Sequence, residues 1–302
     1  MHPPAGITAA GKPMLEDIFR RFLSGEISAP IATMQILLAN EMPADAIAAI
    51  EAASDARLRE LTPLLAGCED VARTIAAVRE DDAAAPAGPA DAVARNRQLF
   101  DRLVAQSPEA SVALYSLGRP DLLDQATHEI VRVLRAWGLL GEGRRVLDLG
   151  CGIGRVTRAI APELAGVVGI DISEAMIAEA RRRCAGLGSV ELRPCSGMDL
   201  SGLGDAVFDL VLAVDSFPYL VEAGDEIVAR HFAEARRVLA PSGDFLIFNF
   251  SYRGRVEQDA ADVAALAAAH GFVVVRSGER PFTLWDGVAF HVRQVAGGKP
   301  PS

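Results

Sequence analysis

The chain has 302 residues, half of which are hydrophobic, and a formal net charge of −10. This length is enough for a full hydrophobic core and predicts one large domain with a smaller attachment, or two domains. The acidic balance argues against general nucleic-acid binding and against binding to anionic membrane surfaces, because both require an excess of Lys and Arg.

The first 80 residues have helical spacing and abundant alanine, which favours helix. In the stretch 14–23, apolar side chains recur at intervals of three and four residues and therefore fall on one helical face. Further helices are predicted at 30–39, 43–53, 55–65 and 69–80. We expect an N-terminal helical module (1–80) that closes over a substrate, forms a homodimer or binds a pathway partner.

Residues 81–91 separate this module from the rest of the chain. The stretch DDAAAPAGPAD has neither helical nor strand periodicity, and it contains two prolines and one glycine. Such a composition is typical of a linker. The remaining residues, 92–302, are predicted to form the main domain.

The main domain begins with helical spacing near 92–106 and 121–137 and then changes its pattern. Short apolar runs alternate with helical segments at VLDL (146–149), VVGI (167–170), VELR (190–193), FDLVLAV (208–214), DFLIFNF (244–250), FVVV (272–275) and VAFHVRQ (288–294). Alternation of this kind predicts an α/β fold with a mostly parallel sheet and helices on both faces. Only SGERPFTLWDG separates the last two runs. We therefore expect seven strands, with an antiparallel last strand.

A glycine-rich loop follows the first predicted strand, in the stretch VLDLGCGIGRVTRAI (146–160). Gly150, Gly152 and Gly154 stand between this strand and a predicted helix, and Asp171 ends the next strand. Glycines let the main chain turn sharply and approach a ligand, and a carboxylate can accept hydrogen bonds from both ribose hydroxyls. The pattern predicts a nucleoside-type cofactor across the carboxyl ends of the first two strands.

The glycine spacing distinguishes between cofactors. Arg155 occupies the position of the third glycine in the dinucleotide fingerprint G-x-G-x-x-G, which disfavours a nicotinamide dehydrogenase. With Asp148 two residues before the first glycine, the pattern is D-x-G-x-G-x-G. It resembles motif I of the class I S-adenosylmethionine-dependent methyltransferases, and the resemblance extends over roughly residues 95–295. AEARRVLAPSGDFLIFNF (233–250) resembles that family's helix, turn and fifth strand.

The resemblance implies a set of cofactor-binding residues. It places the methionine end of S-adenosylmethionine at Asp148, Gly150, Gly152 and Gly154, the ribose at Asp171, the adenine at Ile172, Met198 and Asp199, and Val214 in contact with the cofactor at the end of the fourth strand. The sequence departs from the family's pattern in two places. The L-P-F of many relatives is replaced by SGLGDAVFD, and the N-P-P-Y signature of amide and base N-methyltransferases is absent. Neither nucleic-acid nor glutamine methylation is inferred.

The acceptor is expected near the carboxyl end of the fourth strand, where Asp215 and Tyr219 follow in DSFPY. These two are the candidate catalytic residues, for acceptor positioning or proton removal. The alternative is a helix cap and an aromatic pocket wall. Tyr252 and Arg253, after the fifth strand, leave the same two interpretations open.

Tyr115 and Arg119 lie before the main sheet, in ALYSLGRPDLL. The family often has a helix in this place that covers the methionine carboxylate, and Arg119 could pair with that group. The resemblance thus implies a lid over the cofactor that includes both residues. An ordinary surface loop is the alternative.

Other reactive side chains give weak signals. The five histidines form no metal-spaced pair, so no metal site is predicted. His128 is the best base candidate of the five, against a solvated helix histidine. The four cysteines show no C-x-x-C spacing, which indicates free thiols in a reducing compartment. With no signal-peptide pattern and no membrane-length apolar run, the expected location is the cytoplasm.

The predicted function is methyl transfer from S-adenosylmethionine to an unidentified small molecule. Transfer from a sulfonium is an in-line displacement, for which an enzyme chiefly supplies alignment and a dry pocket. A base is needed only for a protonated amine, a phenol or an acidic carbon. The alternative is a non-catalytic S-adenosylmethionine-binding scaffold or sensor that recruits a partner through the N-terminal helices.

Overall fold

The computed structural model describes residues 15–39, 43–68, 71, 75 and 86–295. The chain divides into two units, which are not continuous in sequence. The first contains Met1–Ala84, Arg102–Ala126 and Phe282–Asp286, and the second contains Ala85–Asp101, Thr127–Pro281 and Gly287–Ser302. The segments 102–126 and 282–286, which the predicted boundaries assigned to the main domain, thus group with the N-terminal helices.

The described helices are α1 (Leu15–Leu23), α2 (Ala29–Leu38), α3 (Pro43–Ala52), α4 (Thr62–Leu65), α5 (Pro89–Gln106), α6 (Pro108–Val112), α7 (Pro120–Ala136), α8 (Arg155–Ile160), α9 (Glu174–Arg183), α10 (Phe217–Ala223), α11 (Asp225–Val238) and α12 (Val256–Ala269). The strands are β1 (Gly141–Leu149), β2 (Leu164–Asp171), β3 (Val190–Pro194), β4 (Phe208–Val214), β5 (Leu239–Phe248), β6 (Phe272–Glu279) and β7 (Ala289–Gln294). None of these helices is both long and apolar enough to cross a bilayer.

The first unit is built around α2. Its sequence, APIATMQILL, is apolar on nearly every side, so the helix is buried along almost its whole length. Ser28 caps α2: its hydroxyl accepts a hydrogen bond from the Ile31 N–H (3.4 Å) and donates one to the Leu284 carbonyl (2.6 Å). The segment 282–286 is thereby tied to the helices of its own unit.

Two predicted helices differ from the structure. The stretch 55–65 forms a 3-10 helix (Ala56–Leu61) followed by α4, and the side chain of Asp55 caps the first turn by accepting the Arg57 N–H. Helix α5 begins at Pro89, inside the predicted linker, because proline suits the first turn of a helix. Most of the predicted helix 69–80, and residues 81–85, lie outside the described residues.

The second unit contains a seven-stranded sheet with the order β3-β2-β1-β4-β5-β7-β6. Strands β1 to β5 pair in parallel, whereas β7 runs antiparallel to both β5 and β6. The predicted α/β fold with an antiparallel last strand is therefore confirmed. The order reverses between β1 and β4, and ligands of open α/β sheets bind beside the carboxyl ends of the strands at such a point.

Aromatic packing fixes the β4–β5 side of this sheet. The ring of Phe217 lies 5.9 Å from Phe232 and 5.9 Å from Phe245, and all three side chains are fully buried. Burial of such rings contributes a large part of a core's stability. Because Phe217 starts α10, this packing also fixes the loop between β4 and α10, where Asp215 stands.

Candidate active site

The loop after β1 contains three glycines with left-handed backbones. The φ angles are +75° at Gly150, +53° at Gly152 and +74° at Gly154. Residues other than glycine rarely adopt this conformation. Space is restricted as well, because a Cβ atom on Gly150 would lie 2.3 Å from the Cβ of Ser216. The loop therefore needs glycine for conformation and, at Gly150, for close approach.

Asp171, the last residue of β2, holds this loop directly. One carboxylate oxygen accepts the Gly152 N–H (2.9 Å), and the other accepts the Ser173 N–H (2.9 Å). A carboxylate offers about four lone-pair sites, so each oxygen keeps one for a further donor. Burial raises the pKa of Asp171 to about 6, although the N–H groups of Ser173 and Gly152 and, more weakly, of Ile172 lower it. A pair of hydroxyl donors would satisfy the remaining capacity.

Asp148 is bonded to the helix that follows the glycine loop. Its carboxylate accepts a hydrogen bond from the Thr157 hydroxyl of α8 (2.5 Å), and the residue is only 1 % exposed. Burial raises its pKa to about 6. Asp148 therefore anchors α8 to β1, and its predicted contact with the cofactor's amino group stays a prediction.

Ile172, one of the predicted adenine residues, lies next to the first half of α5. A Cβ on Gly197 would be 2.6 Å from the side chain of Ile172 and 2.9 Å from that of Val93, so these groups are close neighbours. The Arg97 side chain donates to the Ile172 carbonyl (3.0 Å). Asp101, on the same helix, accepts the Ser173 hydroxyl (2.5 Å). Helix α5 thus packs against the loop that follows β2.

Met198 and Asp199 make short local contacts. The Met198 N–H, expected at the adenine edge, donates to the Ser196 hydroxyl (3.1 Å). One oxygen of Asp199 accepts both the N–H and the hydroxyl of Ser201, and these bonds lower the pKa of Asp199. Asp199 therefore carries a negative charge in a fixed orientation at neutral pH.

A second polar group stands at the carboxyl ends of β4 and β5. Asp215 and Asn249 have φ angles of +61° and +62°. Such a conformation costs about 1–3 kcal/mol for a residue other than glycine and persists only where its surroundings hold it. The Asn249 amide and the Tyr252 hydroxyl both donate to Oδ1 of Asp215, at 2.9 Å and 2.8 Å. Strain of this kind is concentrated at functional sites.

Tyr219 completes this group. Its ring lies 6.0 Å from the ring of Tyr252, at an interplanar angle of 86°. Burial, followed by the charge of Asp215, raises the pKa of both phenols above the usual value. Both hydroxyls are therefore neutral at physiological pH, and Asp215 is the group here that can accept a proton.

Residues 146–243 match a family model described as a methyltransferase domain. A demethylmenaquinone methyltransferase of Tropheryma whipplei is 35% identical over 113 residues, 37% of this chain and 44% of that protein. A ubiquinone/menaquinone biosynthesis C-methyltransferase of Geobacter sulfurreducens is 33% identical over 118 residues, 36% of this chain and 43% of that protein. The chain spans about half the length of the curated relatives it matches.

This region is a class I S-adenosylmethionine-dependent methyltransferase domain. Its fold is also that of a solved phosphoethanolamine N-methyltransferase 1 of Haemonchus contortus, with a TM-score of 0.54 and 17% identity over 70% of this chain and 51% of that one. The family resemblance inferred from the glycine pattern is thus confirmed.

The residues of the methyltransferase domain fit its cofactor, S-adenosylmethionine. Asp171 keeps acceptor capacity on both oxygens, as the predicted contact with two ribose hydroxyls requires, and the loop that it holds contains the left-handed glycines at the same edge of the sheet. Ile172, Met198 and Asp199 follow the carboxyl ends of β2 and β3, beside this edge. Val214 ends β4 opposite Phe248 of β5 and is half-buried.

Tyr115 and Arg119 belong to the first unit. The ring of Tyr115 is buried and stacks on Trp285 at 5.8 Å. The guanidinium of Arg119 pairs with the carboxylate of Asp121 at 2.7 Å, with both side chains about half exposed. Their predicted role as a lid over the cofactor stays a prediction.

The sequence interpretation missed Asn249, Arg97 and Asp101. Asn249 was assigned to a strand that in fact ends at Phe248. The sequence does indicate a break at Asn249, because asparagine is enriched in the left-handed backbone region and here interrupts an apolar run. Arg97 and Asp101 share one helical face at a spacing of four, but nothing in the sequence indicates which loop that face contacts.

Cofactor affinity should depend on pH through Asp171. In the predicted cofactor position, the ribose hydroxyls would donate to the ionised carboxylate of Asp171, whose pKa burial raises to about 6. Affinity for S-adenosylhomocysteine should therefore fall below pH 6, by up to about tenfold per unit, with proton release on binding near that pH. Calorimetry in two buffers of different ionisation enthalpy measures both effects. An Asp171→Asn variant that keeps the same pH profile would assign the dependence to another group.

The same pKa values affect the stability of the free domain. The raised values of Asp148 and Asp171 mean that the folded state binds protons more tightly than the unfolded state, where the ordinary value is 3.8. Their contribution to the free energy of unfolding is therefore largest below that value and is lost as the pH rises through about 6. Ribose hydroxyls bound to Asp171 as predicted would favour its ionised form and offset its part of this loss at neutral pH.

Proposed function

We propose that this protein transfers the methyl group of S-adenosylmethionine to a small-molecule acceptor. The observation that carries the proposal is Asp171, which holds the glycine loop through Gly152 and still has acceptor capacity on both oxygens. The matched methyltransferase domain, residues 146–243, includes this loop and Asp171.

Each group of residues has a part in the reaction. The bound cofactor supplies a methyl group on a positively charged sulfur, which makes that carbon electrophilic. Asp171 and the glycine loop orient the nucleoside, and α5 covers the loop after β2 through Arg97 and Asp101. Asp215, held by Asn249 and Tyr252, stands at the carboxyl end of β4 as the proton acceptor. Alignment of this kind can supply several kcal/mol of the barrier reduction.

The acceptor is proposed to be a small molecule. The formal charge of −10 disfavours a polyanionic acceptor. Two curated relatives are named as quinone-biosynthesis methyltransferases, but they match only about a third of this chain. These names do not identify the atom that is methylated here.

Turnover tests the proposal. The full chain is incubated with a metabolite extract and S-adenosylmethionine labelled in its methyl group, and labelled products are identified by mass. We expect labelled product and S-adenosylhomocysteine in equal amounts, both lost in Asp171→Ala and kept in Asp209→Ala. Asp209, near the amino end of β4, is a suitable control because it also accepts a backbone N–H, from Arg145 of β1. Tight cofactor binding without product would favour the non-catalytic alternative.

A further inference from the structure

Three aromatic rings meet near Asp215. Phe100 of α5 lies 5.1 Å from Tyr219 of α10 at an interplanar angle of 81°, and Tyr219 lies 6.0 Å from Tyr252 at 86°. All three side chains are partly exposed. We call Phe100, Tyr219 and Tyr252 the aromatic corner. Its rings come from three separate chain segments that meet at the carboxyl edge of the sheet.

The carboxylate of Asp215 belongs to this corner through Tyr252. The Tyr252 hydroxyl and the Asn249 amide both bind Oδ1, at 2.8 Å and 2.9 Å. Within the described part of the chain, Oδ2 accepts no hydrogen bond. The left-handed backbones of Asp215 and Asn249 show that the fold maintains this arrangement against strain. One carboxylate oxygen of Asp215 thus remains available next to Tyr252, whose ring contacts the rest of the aromatic corner.

The charges around the aromatic corner favour a cationic ligand over an anionic one. An anionic acceptor would be repelled by Asp215 and by the acidic side chain of Glu222, which acts on Tyr219. Arg155 is the basic group that acts on Asp215 among the described residues, and its guanidinium also donates to the Thr127 hydroxyl (3.2 Å). A carboxylate and aromatic faces together stabilise an organic cation, because the ring faces are electron-rich.

We propose that the methyl acceptor is an amine that binds as its ammonium ion in the aromatic corner, against Asp215. This inference rests on the proposed function and adds the substrate class. Asp215 takes one proton from the ammonium ion, which frees the nitrogen lone pair. The new C–N bond then forms as the C–S bond breaks, the electron pair of the broken bond stays on sulfur, and the product is a methylated ammonium ion.

Binding of an inert cation tests the corner without turnover. Tetramethylammonium cannot be methylated, and tert-butanol is a neutral probe of similar size. Saturation-transfer NMR on the full chain saturated with S-adenosylhomocysteine should show that tetramethylammonium binds and that tert-butanol does not. Asp215→Asn and Tyr252→Leu should each weaken tetramethylammonium at least about tenfold, whereas Asp209→Asn should not.

The outcomes separate this inference from the proposed function. Equal binding of the two probes, or unchanged tetramethylammonium affinity in both variants, would overturn the amine assignment while cofactor binding and turnover stand. A loss of S-adenosylhomocysteine affinity in Asp215→Asn would overturn it too, since the corner would then serve the cofactor. Tyr252→Phe is a conservative variant that should fold normally. It keeps the ring but removes the hydrogen bond to Oδ1, so part of the affinity for tetramethylammonium should remain.

A second arm uses turnover. In the labelled-cofactor assay, product should come from the cation-exchange fraction of the extract, which retains amines, and not from the neutral or anionic fractions. Product only from a neutral or anionic fraction would exclude an amine acceptor even though methyl transfer occurs.

Discussion

Gly150→Ala is expected to destabilise the methyltransferase domain by roughly 3 kcal/mol, the combined effect of overpacking and of a left-handed alanine. The new Cβ would lie 2.3 Å from the Cβ of Ser216. Ser216 would have to move, and its hydroxyl would lose the hydrogen bond to the Leu149 carbonyl (2.5 Å). Thermal unfolding should show a midpoint lower by roughly 6–12 °C.

Gly202→Ala is the matched control for this change. Gly202 has no atom within 4 Å of the position of a Cβ. Its substitution should change the free energy of unfolding by less than about 0.5 kcal/mol. The double variant Gly150→Ala with Ser216→Gly removes the clash but keeps the left-handed alanine, so it should recover part of the loss. A Gly150→Ala protein as stable as Gly202→Ala would show that the loop is not tightly packed here.

Much of the sheet is readable from the sequence because buried parallel strands are nearly continuous apolar runs. VLDL, VVGI and FDLVLAV each fall within a strand of the sheet, at β1, β2 and β4. The antiparallel β7 followed from the absence of a helix between the last two runs. The glycine loop was also readable, since a left-handed backbone after a strand leaves few alternatives to glycine.

Other features depend on contacts between distant segments, which a local pattern does not encode. The bond from Asp171 to the Gly152 N–H joins residues 19 positions apart, and its geometry follows from the packing of β1 beside β2. The pairing of Asp215 with Asn249 likewise requires β4 and β5 to be neighbours. Tyr115 shows the limit of motif reasoning, because its stacking on Trp285 involves a residue 170 positions away.

The second large effect is expected for Asp171→Ala, which should abolish most cofactor affinity. The change removes the proposed acceptor for two ribose hydroxyls, and hydrogen bonds to a charged group contribute about 1.5–3 kcal/mol each. It also frees the Gly152 N–H, which now lacks a partner that fixes the loop. Calorimetry with S-adenosylhomocysteine should show a loss of about a hundredfold or more.

Folding must be separated from binding in this experiment, because the Ser173 N–H also loses its acceptor. Circular dichroism at low temperature establishes the folded fraction, and affinity is then measured on that fraction. Asp209→Ala removes a carboxylate that likewise accepts a backbone N–H, from Arg145, but at the opposite end of the sheet. The Asp209→Ala protein should lose stability without losing affinity for S-adenosylhomocysteine. A folded Asp171→Ala protein that binds S-adenosylhomocysteine as tightly as Asp209→Ala does would place the nucleoside elsewhere, because no other carboxylate is bonded to both the glycine loop and the turn after β2 within the described residues.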